Sequence, residues 1–197
     1  MYQLLLDSSN VYLTVGLAKD GKLVDTIFYN AWQRQSELMV TEIDNILKRN
    51  KIDKKSLDAV VVGIGPGSYT GVRIGVTIAK TIAYALHIKV YAKSSLSLLV
   101  NEDNPTICLF NARSGRSYFA VYHNDKVIEK DTVLTNEEVL DYINKHPDYR
   151  ICGDTAQIEK ESDKFDVALA LSKYSEKELV KDIFTLNPTY LKDLLKW

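Results

Sequence analysis

The chain has 197 residues, 46% hydrophobic and 26% charged, with 25 basic and 26 acidic side chains for a net charge of −1. That length suits one domain or two small ones, and the balanced charge gives no global field to hold a polyanion, so a nucleic-acid partnership would draw most of its phosphate contacts from another protein. The N-terminus, MYQLLLDSS, lacks a basic segment and a long apolar one, and the run from Val72 to Leu86 is interrupted by Arg73 and Lys80, which argues against a signal peptide and a membrane span and predicts a cytoplasmic location.

Tyr2 to Asp7 is an apolar run ending in an acid and reads as a buried strand. Val11 to Lys19 alternates, Asp20-Gly21 supplies a hairpin turn, and Lys22 to Tyr29 continues as a third strand. Ser36 stands where it can cap a helix reaching Arg49, with Leu38, Met39, Ile43, Ile46 and Leu47 on one face. Asp58 to Ile64 has the composition of a parallel strand covered on both faces. A glycine-rich turn follows, then a helix from Thr70 to Leu86, a strand from Lys89 to Ala92, and a short helix from Ser94 and Ser95 through Val100.

Asn101 to Pro105, NEDNP, is the clearest break, and it divides the chain into an N-terminal lobe, 1–104, and a smaller C-terminal lobe, 105–197. The end of the chain is left free to return to the first lobe. The second half repeats the opening order. Thr106 to Asn111, Ser117 to His123 and Lys126 to Val133 read as strands, with Asn124-Asp125 in the place of Asp20-Gly21. Thr135 caps a helix through Lys145, Glu138 completes a capping box, and Tyr149 to Cys152 is again a strand. Two βββα units in tandem predict a duplicated α/β architecture. Beyond Gly153, helical stretches are expected at Ala156–Lys160 and Glu176–Phe184. Cys108 and Cys152 sit in strand-like runs, read as buried reduced thiols, and lie too far apart in sequence for a CxxC zinc knuckle.

The turn Gly63-Ile-Gly65-Pro66-Gly67-Ser68-Tyr69-Thr70-Gly71 stands between strand and helix, where glycines and a helix N-terminus can cradle phosphate. The specific motifs fail. No lysine lies between Gly63 and Arg73, as a Walker A loop requires; Ser68 occupies the third glycine of a dinucleotide fingerprint, and no acid follows at the expected distance. A tight turn that brings the helix close to the sheet is the alternative. Gly71, Gly75, Ala79 and Ala83 then recur every four residues as a small-residue stripe, suited either to packing on the chain's own sheet or to a seam with another subunit. The three histidines, His87, His123 and His146, are too far apart for a metal-binding pair on a helix, and Ser68 is not in a nucleophile elbow.

The segment GIGPGSYTGVRIGVTIAKTIA resembles the GxGPGSFTGxRIGxxxAKGLA element of the TsaB (YeaZ) family. LLLDSSNVYLTVGLAKDG is similar to the family's first hairpin, NARSGRSYFAVY to its DARRGEVYxAxY element, and NPTYL to its closing PxYLR. The resemblance implies a duplicated actin-like (ASKHA, ribonuclease H-like) two-lobed fold. It also implies a non-catalytic role in forming N6-threonylcarbamoyladenosine in tRNAs that read codons beginning with A. By the same resemblance the chain binds and activates the catalytic subunit TsaD, is joined by the ATPase TsaE, and meets tRNA only through that complex. A homodimer of the isolated chain is left open.

The resemblance assigns the subunit interface to the two helices of the first lobe, with Leu38, Met39, Ile43 and Ile46 from one and Gly71, Gly75, Ala79 and Ala83 from the other. Gly65, Pro66, Gly67, Ser68, Tyr69, Thr70, Gly71 and Arg73 are its motif turn, and Asp7 is a degenerate phosphate-loop position. The chain departs from the family pattern at Gln35, often His, at Asn111 for Asp, and at Lys192 for Arg. Asn111 argues against a Mg-nucleotide of the chain's own, since a bound metal favours carboxylate; no cofactor of its own is expected, and ATP and metal belong to the partner complex. The competing readings are an actin-like ATPase or small-molecule kinase using Asp7, and a glycopeptidase-like hydrolase, for which no base, metal or triad is seen.

Overall fold

Continuous apolar runs in the central strands give each of two sheets two buried faces. The computed structural model describes residues 1–100, 104–124 and 126–191. Strands β1 (Tyr2–Asp7), β2 (Tyr12–Lys19) and β3 (Lys22–Asn30) form an antiparallel meander. Its first turn places both Asp20 and Gly21 at positive φ, the requirement of a two-residue hairpin of type I′. Helix α1 (Gln35–Arg49) crosses to β4 (Leu57–Gly63), which pairs parallel to β1. Helix α2 (Tyr69–Leu86) leads to β5 (Lys89–Lys93), parallel to β4. The sheet order is β3-β2-β1-β4-β5.

The second half builds the same pattern. Strands β6 (Thr106–Arg113), β7 (Arg116–His123) and β8 (Lys126–Thr135) are antiparallel, α3 (Asn136–Lys145) crosses over, and β9 (Arg150–Gly153) returns parallel to β6. The order β8-β7-β6-β9 repeats β3-β2-β1-β4, so the expected duplication is realised strand for strand. The capping box at Thr135 and Glu138 is formed as the sequence predicts. The break at Asn101–Asp103 and the turn residue Asp125 lie outside the described residues, as does Lys192.

On the first sheet, Leu4, Leu6, Val60 and Val62 point toward Met39, Ile43 and Ile46 of α1 and Val72, Val76 and Ala79 of α2. Leu5, Ala59 and Val61 point the other way, onto α4 (Val167–Ser172). On the second sheet Ile107 and Leu109 pack on Val139 and Ile143 of α3, whereas Cys108, Phe110 and Cys152 face a 3-10 turn at Leu96–Leu99. Each fully buried aliphatic side chain contributes about 1.5–3 kcal/mol, so these central strands, apolar on both faces, dominate the stabilisation of each sheet.

Three local expectations are corrected. Helix α1 starts at Gln35 with Arg34 as its cap residue and no side-chain cap; the turn Ala31–Arg34, closed by a 2.8 Å backbone bond, leads straight into it, so Ser36 falls inside the first turn. The stretches expected as helices at 156–160 and 176–184 contain only single 3-10 turns, Ala156–Ile158 and Glu176–Glu178. In the second, Leu179 bridges Tyr91 and Val180 N–H bonds Val90 O at 2.9 Å, so the edge of β5 satisfies the backbone that a helix would have satisfied internally. Helix α4 itself was not anticipated; Asp166 caps it by accepting from Leu169 N at 2.9 Å. No helix among the described residues is long and apolar enough to cross a membrane.

Candidate functional site

The ends of β1 and β4 meet at one point. Asp7 closes β1, and its Oδ2 accepts from Ser9 N at 3.2 Å and Ser9 Oγ at 2.9 Å, while Oδ1 accepts from Ser95 Oγ at 3.3 Å. A Cβ on Gly63 would stand 2.1 Å from Asp7 Oδ1, so the glycine makes room for the carboxyl. Burial pushes the Asp7 pKa up to about 6, against the lowering effect of the Ser9 and Ser95 bonds. Only 3% of Asp7 is exposed. The position that an ATPase or kinase would turn toward phosphate is thus sealed between strand ends.

The glycine turn folds onto the Ser8–Ser9 turn. Ser68 N donates to Ser9 O at 2.6 Å, and Ser8 Oγ donates to Gly71 O at 2.8 Å. A Cβ at Gly67 would meet Ser9 O at 2.3 Å. The glycines therefore serve close approach of backbone to backbone, the tight-turn alternative to a phosphate cradle. Gly65, Pro66 and Gly71 of the motif are buried, and Ser68, Tyr69, Thr70 and Arg73 are exposed. The NPTYL segment lands on the same turn: Thr189 N donates to Ile64 O at 2.7 Å, and the Tyr69 and Tyr190 rings lie 5.1 Å apart. Gln35 is buried, and its Nε2 donates to Asn10 O at 3.1 Å, tying the start of α1 to the β1–β2 turn.

Between the two sheets lies an open cleft of about 750 Å³. One wall is Ser9, Asn10 and the exposed part of the glycine turn; the other is the β6–β7 turn, Asn111 to Ser114, with Asp154 to Gln157. Asn111 Oδ1 accepts from Arg113 N at 2.7 Å, and Asn111 N donates to Asp154 Oδ2 at 3.1 Å. Burial raises the Asp154 pKa from its ordinary value, partly offset by the Asn111 bond. The sequence reading missed Asp154. The available signal was its place just after the strand Arg150–Gly153, which repeats β4 of the first half, at the same end of the sheet as Asn111. Among the described residues no group of three His, Cys, Asp or Glu side chains is placed to hold a metal ion.

The residues expected at a subunit interface need correction. Met39, Ile43, Ile46, Gly71, Gly75, Ala79 and Ala83 are buried in the chain's own core, and only Leu38 of that set is part exposed. The small-residue stripe brings α2 against the Ser8 backbone and Val62, because a Cβ at Gly75 would already touch Ser8 Oγ at 3.2 Å. What α1 and α2 turn outward is a different set: Val40, 59% exposed, and Tyr84, 61% exposed, with Leu38, Ile74, Ile78 and Ile82 half-buried.

A duplicated βββα fold with two lobes on a cleft defines an actin-like protein of the ASKHA class. A family model described as TsaD: tRNA N6-adenosine threonylcarbamoyltransferase matches residues 30–187. The tRNA threonylcarbamoyladenosine biosynthesis protein TsaB of Bacillus subtilis (strain 168) is 28% identical over 185 residues, covering 91% of this chain and 75% of its own. TsaB of Haemophilus influenzae (strain ATCC 51907 / DSM 11121 / KW20 / Rd) is 24% identical over 225 residues, covering 98% and 94%. A solved structure from Pseudomonas aeruginosa, of an uncharacterized protein with similarity to peptidase YEAZ, superposes with a TM-score of 0.82 at 20% identity, over 97% of this chain and 99% of that one. The chain belongs to the TsaD family and, within it, to its TsaB (YeaZ) branch.

Proposed function

We propose that this chain is a non-catalytic subunit of the assembly that forms N6-threonylcarbamoyladenosine in tRNA, and that it binds and activates a TsaD-type catalytic subunit through α1 and α2. The observation that carries the reading is the outward face of these helices. Ile74, Ile78 and Ile82 recur every four residues as a partly exposed apolar stripe on α2, and Val40 stands exposed on α1. Monomeric surfaces seldom leave contiguous apolar area uncovered, and a partner helix pair would cover it. In this reading the chain takes no cofactor of its own. ATP and metal serve the partner subunits, among them a TsaE-type ATPase. The buried Asp7 favours the partner role over an ATPase or kinase, because its carboxyl is engaged by Ser9 and Ser95.

The test is co-purification with the TsaD-type subunit. Val40→Arg and Ile78→Arg, shown folded by circular dichroism, are expected to lose the partner. Folded variants that bind as tightly as wild type would move the interface elsewhere. Turnover of ATP or of a peptide by the isolated chain, abolished in Asp7→Ala, would overturn the non-catalytic reading.

A further inference from the structure

The inter-lobe cleft has features that the subunit role leaves unused. Its volume, about 750 Å³, lies in the range of small-ligand sites. Three aromatic side chains on its lining stand about half in water: Trp32 is 52% exposed, Tyr69 45% and Tyr190 46%. Tyr69 is held from two sides. Tyr190 packs beside it, and Arg73 donates to its hydroxyl at 2.8 Å with the guanidinium 5.2 Å from the ring centre. A ring fixed in this way and still nearly half in water offers an edge on which a base can stack.

The opposite wall brings the complementary chemistry. Arg113 lines the cleft and makes no ion pair among the described residues. Asp154 is near it, a hydrogen-bond acceptor already oriented by Asn111 N. Aromatic platforms, one unpaired guanidinium and a few hydrogen-bonding groups suit a flat heteroaromatic ring joined to one anionic group. An extended peptide would ask instead for apolar side-chain pockets or an open strand edge.

We propose that this cleft receives one unstacked nucleotide of single-stranded RNA, its base against the rim aromatics and its phosphate toward Arg113. The proposal rests on the reading of the chain as a subunit of a tRNA-modifying assembly, which supplies the RNA. A single nucleotide contact also fits a nearly neutral chain that depends on its partner for the remaining phosphates. Single-stranded segments are where bases can splay out and stack on aromatic side chains.

Trp32 is the reporter. The sequence has two tryptophans, so Trp197→Phe leaves Trp32 alone. That variant is titrated at low salt with a single-stranded RNA of about six nucleotides and, separately, with AMP. Saturable quenching by the RNA is expected, and AMP, which brings one base and one phosphate, is expected to enter the same site and displace the RNA. Tyr69→Ala and Arg113→Ala, each folded by circular dichroism, are expected to weaken RNA binding about tenfold, the order found for loss of one stacking or ionic contact. Absence of saturable quenching by the RNA, failure of AMP to displace it, AMP binding more than about tenfold tighter than the RNA, or unchanged binding in both variants would overturn the proposal. Co-purification with the TsaD-type subunit, measured on the same proteins, separates the two readings. If the pairing holds and RNA binding fails, only the cleft assignment falls; if the pairing itself fails, the assembly reading falls.

Discussion

Ser8 Oγ donates to Gly71 O at 2.8 Å, and the carbonyl of Ser8 lies 2.0 Å from where a Gly71 Cβ would be. The turn after β1 and the first turn of α2 are thus in backbone contact, and no side chain fits between them. Gly71→Ala is expected to push α2 off the sheet and cost roughly 1–3 kcal/mol, as overpacking does. Thermal unfolding should show Tm lower by about 2–4 °C per kcal/mol in a chain of this size. Gly115→Ala is the contrast. Its site at φ +69 is open to 4 Å, so any loss there is one of backbone strain alone.

Asp7 carries a pH signature. Its pKa in the fold, about 6, lies above the unfolded value of 3.8, so folding favours the protonated acid. The stability from this group is fully present below about pH 4 and is lost as pH rises through about 6. The gap corresponds to about 3 kcal/mol at neutral pH and above. An amide can still accept from Ser9 while it donates to Ser95, without a buried charge. Asp7→Asn is therefore expected to raise Tm near pH 8 and to leave it almost unchanged near pH 4; a loss of stability at both would show that the carboxylate itself holds the strand ends together.

The two faces of α1 separate core from surface. Ile43 is 7% exposed and packs into the first sheet's core, so Ile43→Arg buries an unpaired charge and is expected to unfold the protein. Val40, 59% exposed on the same helix, should accept arginine without loss of the circular dichroism signal. If both variants fold alike, the face of α1 against the sheet has been misassigned.

Asp131 ties the lobes. It lies on β8 and accepts from Ser94 Oγ, just after β5, at 2.6 Å, and from Tyr122 OH on β7 at 2.5 Å. Asp131→Ala leaves both hydroxyls without this acceptor, at a cost of about 1–3 kcal/mol. Faster amide exchange in β8 and around Ser94, with α1 and α2 unchanged, is the expected pattern.

Much of this was legible in the sequence because its causes are local. Period-two alternation marked β2 and β7, continuous apolar runs β1, β4 and β6, Asp20-Gly21 the first hairpin, Thr135 and Glu138 the start of α3, and the repeated βββα order the duplication. The GPGSYTG run carried the family. The sequence could not tell on which side of α2 its small stripe would lie. A helix apolar around most of its circumference has two candidate buried faces, and the choice fell to Ser8, whose carbonyl comes so close only because position 71 is glycine and whose hydroxyl lies against Gly75. The last forty residues were the least legible for a related reason. Leu179 and Val180 meet their hydrogen-bond partners on β5, nearly ninety positions earlier in the chain, and Asp154 became a cleft residue only when β9 paired with β6. Periodicity and capping act within a few residues and can be read in order; pairing at an edge and close approach of backbones depend on which distant segment arrives, and only the folded chain decides that.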